Sequence, residues 1–115
     1  MSYVDGFVAA VPEANREAYR RHAEQAAALF REHGALEVAE LWGDDVPEGE
    51  VTSFPLAVRR EPGEAVALGW IRWPSKAVRE RAWAAMAEDD RMRAEAMPFD
   101  GRRIIHGGFE PLLEG

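Results

Sequence analysis

The chain has 115 residues, no cysteine, and 21 acidic against 14 basic side chains, which gives a formal net charge of −7. This length predicts a single domain over residues 1–115 with a core of its own. The composition excludes disulfides and thiolate metal sites, fits a cytoplasmic location, and argues against nucleic-acid binding, which needs a basic surface.

The first predicted elements are a strand and a helix. Residues Tyr3 to Val11 alternate and are rich in β-branched and aromatic types, and the basic start of a signal peptide is missing. After Pro12, the stretch EANREAYRRHAEQAAALFREHG repeats apolar residues at spacings of three and four, which predicts an amphipathic helix ending at Gly34. No apolar run approaches the ~20 residues that a membrane-spanning helix needs, so we expect no membrane partner.

Two further strands follow. In ALEVAELWGD the side chains of Leu36, Val38, Glu40 and Trp42 share one face. The loop GDDVPEGEVTSFP and a short extended piece, LAVRR, precede AVALGWIRW. This third strand is largely apolar on both faces, which is typical of a strand covered on both sides.

The last third of the chain predicts a helix and a strand. Pro74 ends the third strand, and Ser75 is a good N-cap for the second long helix. DRMRAEAM indicates a short further helix, PFDG a turn, and RRIIHGGFE the fourth strand.

This order predicts an α+β fold of the ferredoxin-like βαββαβ plan, with a four-stranded antiparallel sheet and both helices on one face. Strands one and three take the centre, and strands two and four the edges. We expect the aromatic side chains Phe7, Trp42, Trp70 and Trp73 to exceed what two helices can cover. The open sheet face would then be buried in a homodimer that packs sheet against sheet.

Four motifs in order carry a resemblance to a known family. They are YVDGFVAAVP, LWGDDVP, WPSKAVR and MPFDGRRIIHGGFE. The chain resembles the bacterial YbaA-like family of unknown function, which belongs to the dimeric α/β-barrel superfamily. The resemblance spans nearly the whole chain and implies a ferredoxin-like fold and a dimeric α/β barrel, but no catalytic residue.

His106 is the first candidate for catalysis. A neutral imidazole is a natural general base near neutral pH. Because the first and fourth strands are predicted antiparallel neighbours, Asp5 would meet His106 and orient it. The alternative is a histidine that is hydrogen-bonded within a dimer core.

Four residues are candidates for a ligand pocket on the open sheet face. Glu40 and Trp42 share one face of the second strand, and Trp70 and Arg72 share one face of the third. Indoles with a few polar groups are typical of small-molecule pockets. Alternatively, Glu40 and Arg72 form a cross-strand ion pair between packed aromatic rings.

No sequence motif points to a cofactor or a metal. There is no P-loop, no G-x-G-x-x-G and no G-x-S-x-G, and Asp44 and Asp45 lack the spacing of a calcium loop. We therefore predict neither a cofactor nor a metal.

Three functions stay open from the residues. One is a cofactor-free enzyme of the monooxygenase, isomerase or lyase type that handles a small organic ligand. The others are a non-catalytic ligand-binding module and a dimer for protein interaction. The superfamily resemblance favours the enzyme, and the residues alone leave catalysis undecided.

Overall fold

The strands and long helices follow the predicted order. The computed structural model describes residues 2–92 and 97–114. Its elements are β1 (Tyr3–Pro12), α1 (Arg16–Glu32), β2 (Glu37–Trp42), α2 (Phe54–Ala57), β3 (Glu64–Trp73), α3 (Lys76–Ala87) and β4 (Ile105–Phe109). Single 3₁₀ turns lie at Glu13–Asn15 and Asp90–Met92. The predicted helix DRMRAEAM begins with that second turn, and its residues 93–96 lie outside the described residues.

The four strands form one sheet in the order β2-β3-β1-β4, and every neighbouring pair is antiparallel. The predicted ferredoxin-like plan, with β1 and β3 at the centre, is confirmed. Asp5 lies opposite Ile71 on one side and Gly108 on the other. Glu40 lies opposite Gly69.

The helices α1 and α3 cover one face of this sheet. Their apolar residues pack with those of the central strands in a core that includes Leu29, Phe30, Ile71, Trp73 and Met86. The Phe30 ring meets the Trp73 indole edge-on, with their centroids 6.3 Å apart. Ser75 caps α3 as predicted, since its hydroxyl accepts a hydrogen bond from the Val78 amide.

The second face is partly covered from within the chain. The LAVRR stretch, predicted to be extended, instead begins with the last two residues of the short helix α2 and continues into a turn. Ser53 caps this helix by accepting a hydrogen bond from the Leu56 amide. Val58, just after α2, is almost completely buried against β1 and β3, where it packs with Val8 and Val66. Five residues are too few to show the periodicity of a helix or a strand. The serine at the N-cap is the sequence signal that indicates a helix here.

The aromatic residues divide differently from the prediction. Trp73 is fully buried under the helices, and Phe7 packs against the same core, so the helices hide more aromatic surface than expected. Trp42 also lies on the helix side, against Tyr19. Only Trp70 of the four lies on the open face. That face still exposes large apolar side chains of the edge strands, namely Leu41, Ile105 and Phe109.

The segment before β4 is tied to β3 by a partly buried ion pair. The PFDG turn is confirmed by the Asp100 carboxylate, which accepts a hydrogen bond from the Arg102 amide. Arg103 then donates to both carboxylate oxygens of Glu64, at 2.8 and 2.7 Å.

Among the described helices, none has the length and apolar character that crossing a bilayer requires.

Candidate functional site

A cavity of about 400 Å³ lies between α1 and the edge strand β2. Small side chains of α1, Ala23 and Ala27, leave this space open, and Val38 of β2 lines the opposite side. Both alanines are buried, whereas larger residues at these positions would fill the gap. The volume is within the range of small-molecule sites.

Glu40 of β2 lines this cavity, and its carboxyl group is hydrogen-bonded to a buried side chain of α1. Its Oε1 accepts a hydrogen bond of 2.8 Å from the Tyr19 hydroxyl. The residue as a whole is exposed at the sheet edge. Surrounding protein atoms nevertheless crowd the carboxyl group, and this desolvation raises its pKa to about 7 despite the opposing effect of the tyrosine hydrogen bond.

Tyr19 is fixed by aromatic neighbours. Only 6% of its surface is exposed. Its ring packs edge-on against Phe99 at 5.7 Å and lies tilted against Trp42 at 6.1 Å, measured between centroids. Burial, and then the charge of Glu40, raises the pKa of Tyr19 far above its ordinary value, so the hydroxyl stays neutral and donates.

Three guanidinium groups of α1 also line the cavity, and they differ in their partners. Arg20 forms ion pairs with Glu17, at 2.7 Å, and with Glu24. Arg16 instead lies over the Trp42 ring, 5.4 Å from its centroid. Among the described residues, neither Arg16 nor Arg31 forms an ion pair with a carboxylate.

The four predicted pocket residues are split between the two faces of the sheet. Glu40 and Trp42 do share one face and line the α1–β2 cavity. Trp70 and Arg72 point to the other face, because Gly69 and not Trp70 lies opposite Glu40. The structure therefore corrects the predicted common pocket on the open face.

The alternative ion pair between Glu40 and Arg72 is also wrong. Arg72 lies opposite Glu37, whose carboxylate is 3.9 Å from its guanidinium, and it pairs more closely with Glu114 at 2.9 Å. The Trp70 indole donates to the same Glu37 carboxylate at 2.6 Å.

Asp5 is buried and fully engaged in a different cluster. Its carboxylate accepts from the indoles of Trp73 and Trp83, at 2.9 and 3.0 Å, and from Arg79 at 2.8 Å. Burial alone would raise the pKa of Asp5, but these donors outweigh it and hold the pKa below its ordinary value. The arrangement joins β1, β3 and α3.

His106 lies on β4 opposite Phe7 and is exposed. The predicted antiparallel pairing of β1 and β4 is confirmed, but it does not produce the predicted hydrogen bond between Asp5 and His106. The hydrogen bonds of Asp5 described above come from two indoles and a guanidinium. The catalytic roles of Asp5 and His106 stay predictions, without the contact that suggested them.

The sequence reasoning missed the partners of Glu40. Tyr19 has the spacing of the apolar stripe in the first predicted helix, and that spacing predicts a core position. Phe99, from the turn MPFDG, reaches the same cluster, and Asn15 donates to the Pro98 carbonyl at 2.9 Å to hold that turn against α1. Arg16 carried no signal beyond its place on the helix face of Tyr19, three residues away. Over residues 2–92 and 97–114, no three or more histidine or acidic side chains gather in a way that would hold a metal ion.

Comparisons with known proteins identify the family of this chain. Residues 2–101 match a family model described as a protein of unknown function, DUF1428. The chain belongs to this family. It is 52% identical, over 99% of both chains, to the uncharacterized protein YbaA of Escherichia coli K12 and equally to YbaA of Shigella flexneri. The YbaA-like resemblance is thereby confirmed.

A solved structure shares the architecture at low sequence identity. It is that of a variant of SnoaB, a cofactor-independent oxygenase from Streptomyces nogalater. The TM-score is 0.51 and the identity 20%, over 98% of this chain and 93% of that one. At this identity the likeness establishes the ferredoxin-like fold and no more.

Proposed function

We propose that this member of the DUF1428 family handles a small organic molecule in the α1–β2 cavity, as a cofactor-free enzyme in which Glu40 transfers a proton. The observation that carries the proposal is the carboxyl group of Glu40, held by the buried Tyr19 hydroxyl beside a cavity of small-molecule size. The proposed pocket thus differs from the one that the sequence predicts, because it lies on the helix side and not on the open sheet face.

Glu40 suits acid–base chemistry near neutral pH. A carboxyl group with a pKa of about 7 is present in both its acid and its base form there, and this is the range in which proton transfer is most effective. Tyr19 is a positioning residue, because its fixed ring and neutral hydroxyl orient one carboxylate oxygen and leave the other to face a ligand.

The reaction class follows from this single acid–base group. Glu40 removes a proton from a carbon beside a carbonyl group of the ligand, the electron pair moves into the carbonyl, and Glu40 returns the proton. Return of the proton to a different atom of the ligand gives an isomerisation. A lyase reaction results instead when the electron pair of the carbanion forms a carbon–carbon double bond and a leaving group on the neighbouring carbon departs with its own bonding pair. SnoaB, which shares the fold, is a cofactor-independent oxygenase. A related alternative is therefore that a deprotonated substrate itself supplies electrons to dioxygen.

The test uses the intact protein and solvent deuterium. A panel of small organic acids, carbonyl compounds and quinones is screened by thermal shift, since ligands that bind the folded state raise its melting temperature. Compounds that bind are incubated in D₂O, and exchange of their acidic C–H protons is followed by proton NMR. We expect catalysed exchange by the native chain and a loss of about 10²–10⁴-fold in Glu40→Gln.

Matched variants separate the alternatives. His106→Ala should keep the exchange rate if Glu40 is the base, and loss of exchange in His106→Ala but not in Glu40→Gln would overturn the proposal. Binding without exchange or oxygen consumption would assign the chain to the non-catalytic ligand-binding class. A panel without any thermal shift would contradict both readings.

Assembly and location complete the proposal. We infer a homodimer that packs the open sheet faces together, supported by the exposed Leu41, Ile105 and Phe109 on that face. We also infer a cytoplasmic location, supported by the absence of cysteine.

A further inference from the structure

We infer that the α1–β2 cavity binds a small organic monocarboxylate with a flat apolar body, and that Arg16 pairs with its carboxylate group. The inference rests on the proposed function, because it names the chemical class of molecule that the same cavity holds. Arg16 would bind the ligand, whereas Glu40 would transfer a proton to and from it.

The cations of the cavity are not equivalent, and this selects Arg16. Arg20 already pairs with Glu17 and Glu24, so its charge is compensated within α1. Arg16 instead lies over the Trp42 ring and has no carboxylate partner among the described residues. Its N–H donors lie in the plane of the group and stay available for a carboxylate, which they match as a fork.

Arg16 also belongs to the same cluster as Glu40. Tyr19, which donates to Glu40, lies three residues after Arg16 on α1, and its ring contacts the Trp42 indole that Arg16 covers. Arg31 is fifteen residues further along α1, roughly 22 Å along the helix axis, and lies at the other end of the cavity. A ligand anchored at Arg16 therefore extends past Glu40.

The remaining walls fit a flat apolar body. Between the two ends of the cavity, Ala23 and Ala27 present small buried side chains, and Val38 faces them from β2. Glu17, Arg20 and Glu24 line the cavity as well, but they pair with one another on α1. The surface that remains for the body of a ligand is apolar, and it suits an aromatic ring or a planar chain better than a highly hydroxylated molecule.

The experiment compares a carboxylate with its neutral amide. Benzoate and benzamide share the ring and differ in charge, and their affinities for the intact protein are measured by calorimetry at low salt. We expect benzoate to bind at least about tenfold more tightly, and Arg16→Gln to remove that advantage while leaving benzamide unchanged. Arg21→Gln, an exposed arginine of α1 outside the cavity, is the control and should bind like the native chain.

Each other result contradicts the inference. Equal affinity for benzoate and benzamide, or no binding of benzoate, would overturn the anion preference. A loss of affinity in Arg31→Gln but not in Arg16→Gln would overturn the assignment to Arg16. The proposed function fails separately: deuterium exchange that depends on Glu40 with no charge preference leaves it standing, and charge-selective binding without exchange removes it.

Discussion

Glu40 is a carboxyl group that the fold keeps partly protonated near neutral pH. In the unfolded chain its pKa returns to the ordinary 4.5, whereas in the folded chain it is about 7. Between these values the folded state binds more protons than the unfolded state, so this group makes stability fall as the pH rises. Above pH 7 Glu40 is ionised in both states, and the desolvated carboxylate lowers the free energy of unfolding by its full amount.

Replacing this group should therefore stabilise the protein at alkaline pH. We expect Glu40→Gln to equal the native chain in stability near pH 4.5 and to exceed it increasingly up to pH 8, because the amide keeps an acceptor for Tyr19 without the charge. Urea denaturation at pH 5, 6, 7 and 8 measures the difference. A difference that does not change with pH would show that the Glu40 carboxyl is not desolvated.

Asp5 shows the opposite case, a buried carboxylate that is stabilised as the anion. Its donors are two indoles and Arg79. We expect Asp5→Asn to lower the free energy of unfolding by about 2–4 kcal/mol, since the amide has one acceptor oxygen in place of two, removes the charge that pairs with Arg79 and turns an N–H donor toward the other donors. Urea denaturation at pH 7 checks this.

The pH dependence of that loss gives a second check. The pKa of Asp5 is lower in the folded chain than its ordinary 3.8, so its stabilising effect is complete above that value and is lost as the pH falls through the folded pKa. The gap between the native chain and Asp5→Asn should narrow in acid. Asp45→Asn, in an exposed loop, is the control and should change stability by less than about 0.5 kcal/mol at any pH.

At the scale of elements, the sheet tolerates little extra volume near the site. Gly69 of β3 lies opposite Glu40, and a Cβ there would stand 2.4 Å from the Phe7 ring and 2.9 Å from the Ala39 carbonyl oxygen. The missing side chain allows Phe7 to lie across β3 under the helices. The glycine is required by close approach of a neighbouring ring and carbonyl.

We therefore expect Gly69→Ala to destabilise the fold by about 1–3 kcal/mol through overpacking. Gly6→Ala is the matched control, because it lies in the other central strand and its Cβ would meet its nearest neighbour, the Phe109 ring, at an ordinary 3.5 Å. Denaturant midpoints measure both. Equal losses in the two variants would mean that Phe7 yields easily.

Strand parity explains both the success and the failure of the sequence predictions. Alternation within a strand correctly placed Glu40 with Trp42, and Trp70 with Arg72. It does not fix the register between strands, and a shift of one residue exchanges the faces. Opposite Glu40 lies Gly69 and not Trp70, and this single offset separates the two pairs.

The cavity and its contacts could not be predicted from the sequence, because they form between elements that are distant along the chain. The predicted helix over residues 13–34 and the predicted strand over residues 35–44 were both found, but the gap between them follows from how α1 seats on the edge of the sheet. Tyr19 occupies a position in the helix repeat that core residues also occupy. Only the tertiary structure shows that its hydroxyl reaches Glu40. Element order, in contrast, determines the ferredoxin-like plan through the rules of strand connection.

For the whole molecule, the open sheet face is the feature that the single chain leaves incomplete. The segment around Val58 covers the part over Val8 and Val66. Beyond it, Phe109 is 61% exposed and Ile105 43% exposed on strand β4, and Leu41 is exposed on β2. Apolar surface arranged across a sheet in this way is typical of an interface between copies.

A charge placed on this face should abolish the proposed dimer without unfolding the chain. We expect the native protein to have twice the 12.8 kDa mass of one chain in light scattering after size exclusion, and Phe109→Glu to approach the mass of a single chain. The phenylalanine is largely exposed, so its replacement costs the monomer little, and an unchanged circular dichroism spectrum confirms the fold.

Two further variants make the assignment specific to the face. Ile105→Glu, on the same strand and the same side, should act like Phe109→Glu. Ala28→Glu adds the same charge to an exposed position of α1, on the opposite side of the sheet, and should leave the dimer intact. A native protein of single-chain mass would contradict the dimer itself. A dimer that survives both sheet-face variants and dissociates with Ala28→Glu would move the interface to the helix side of the sheet, where the Glu40 cavity lies.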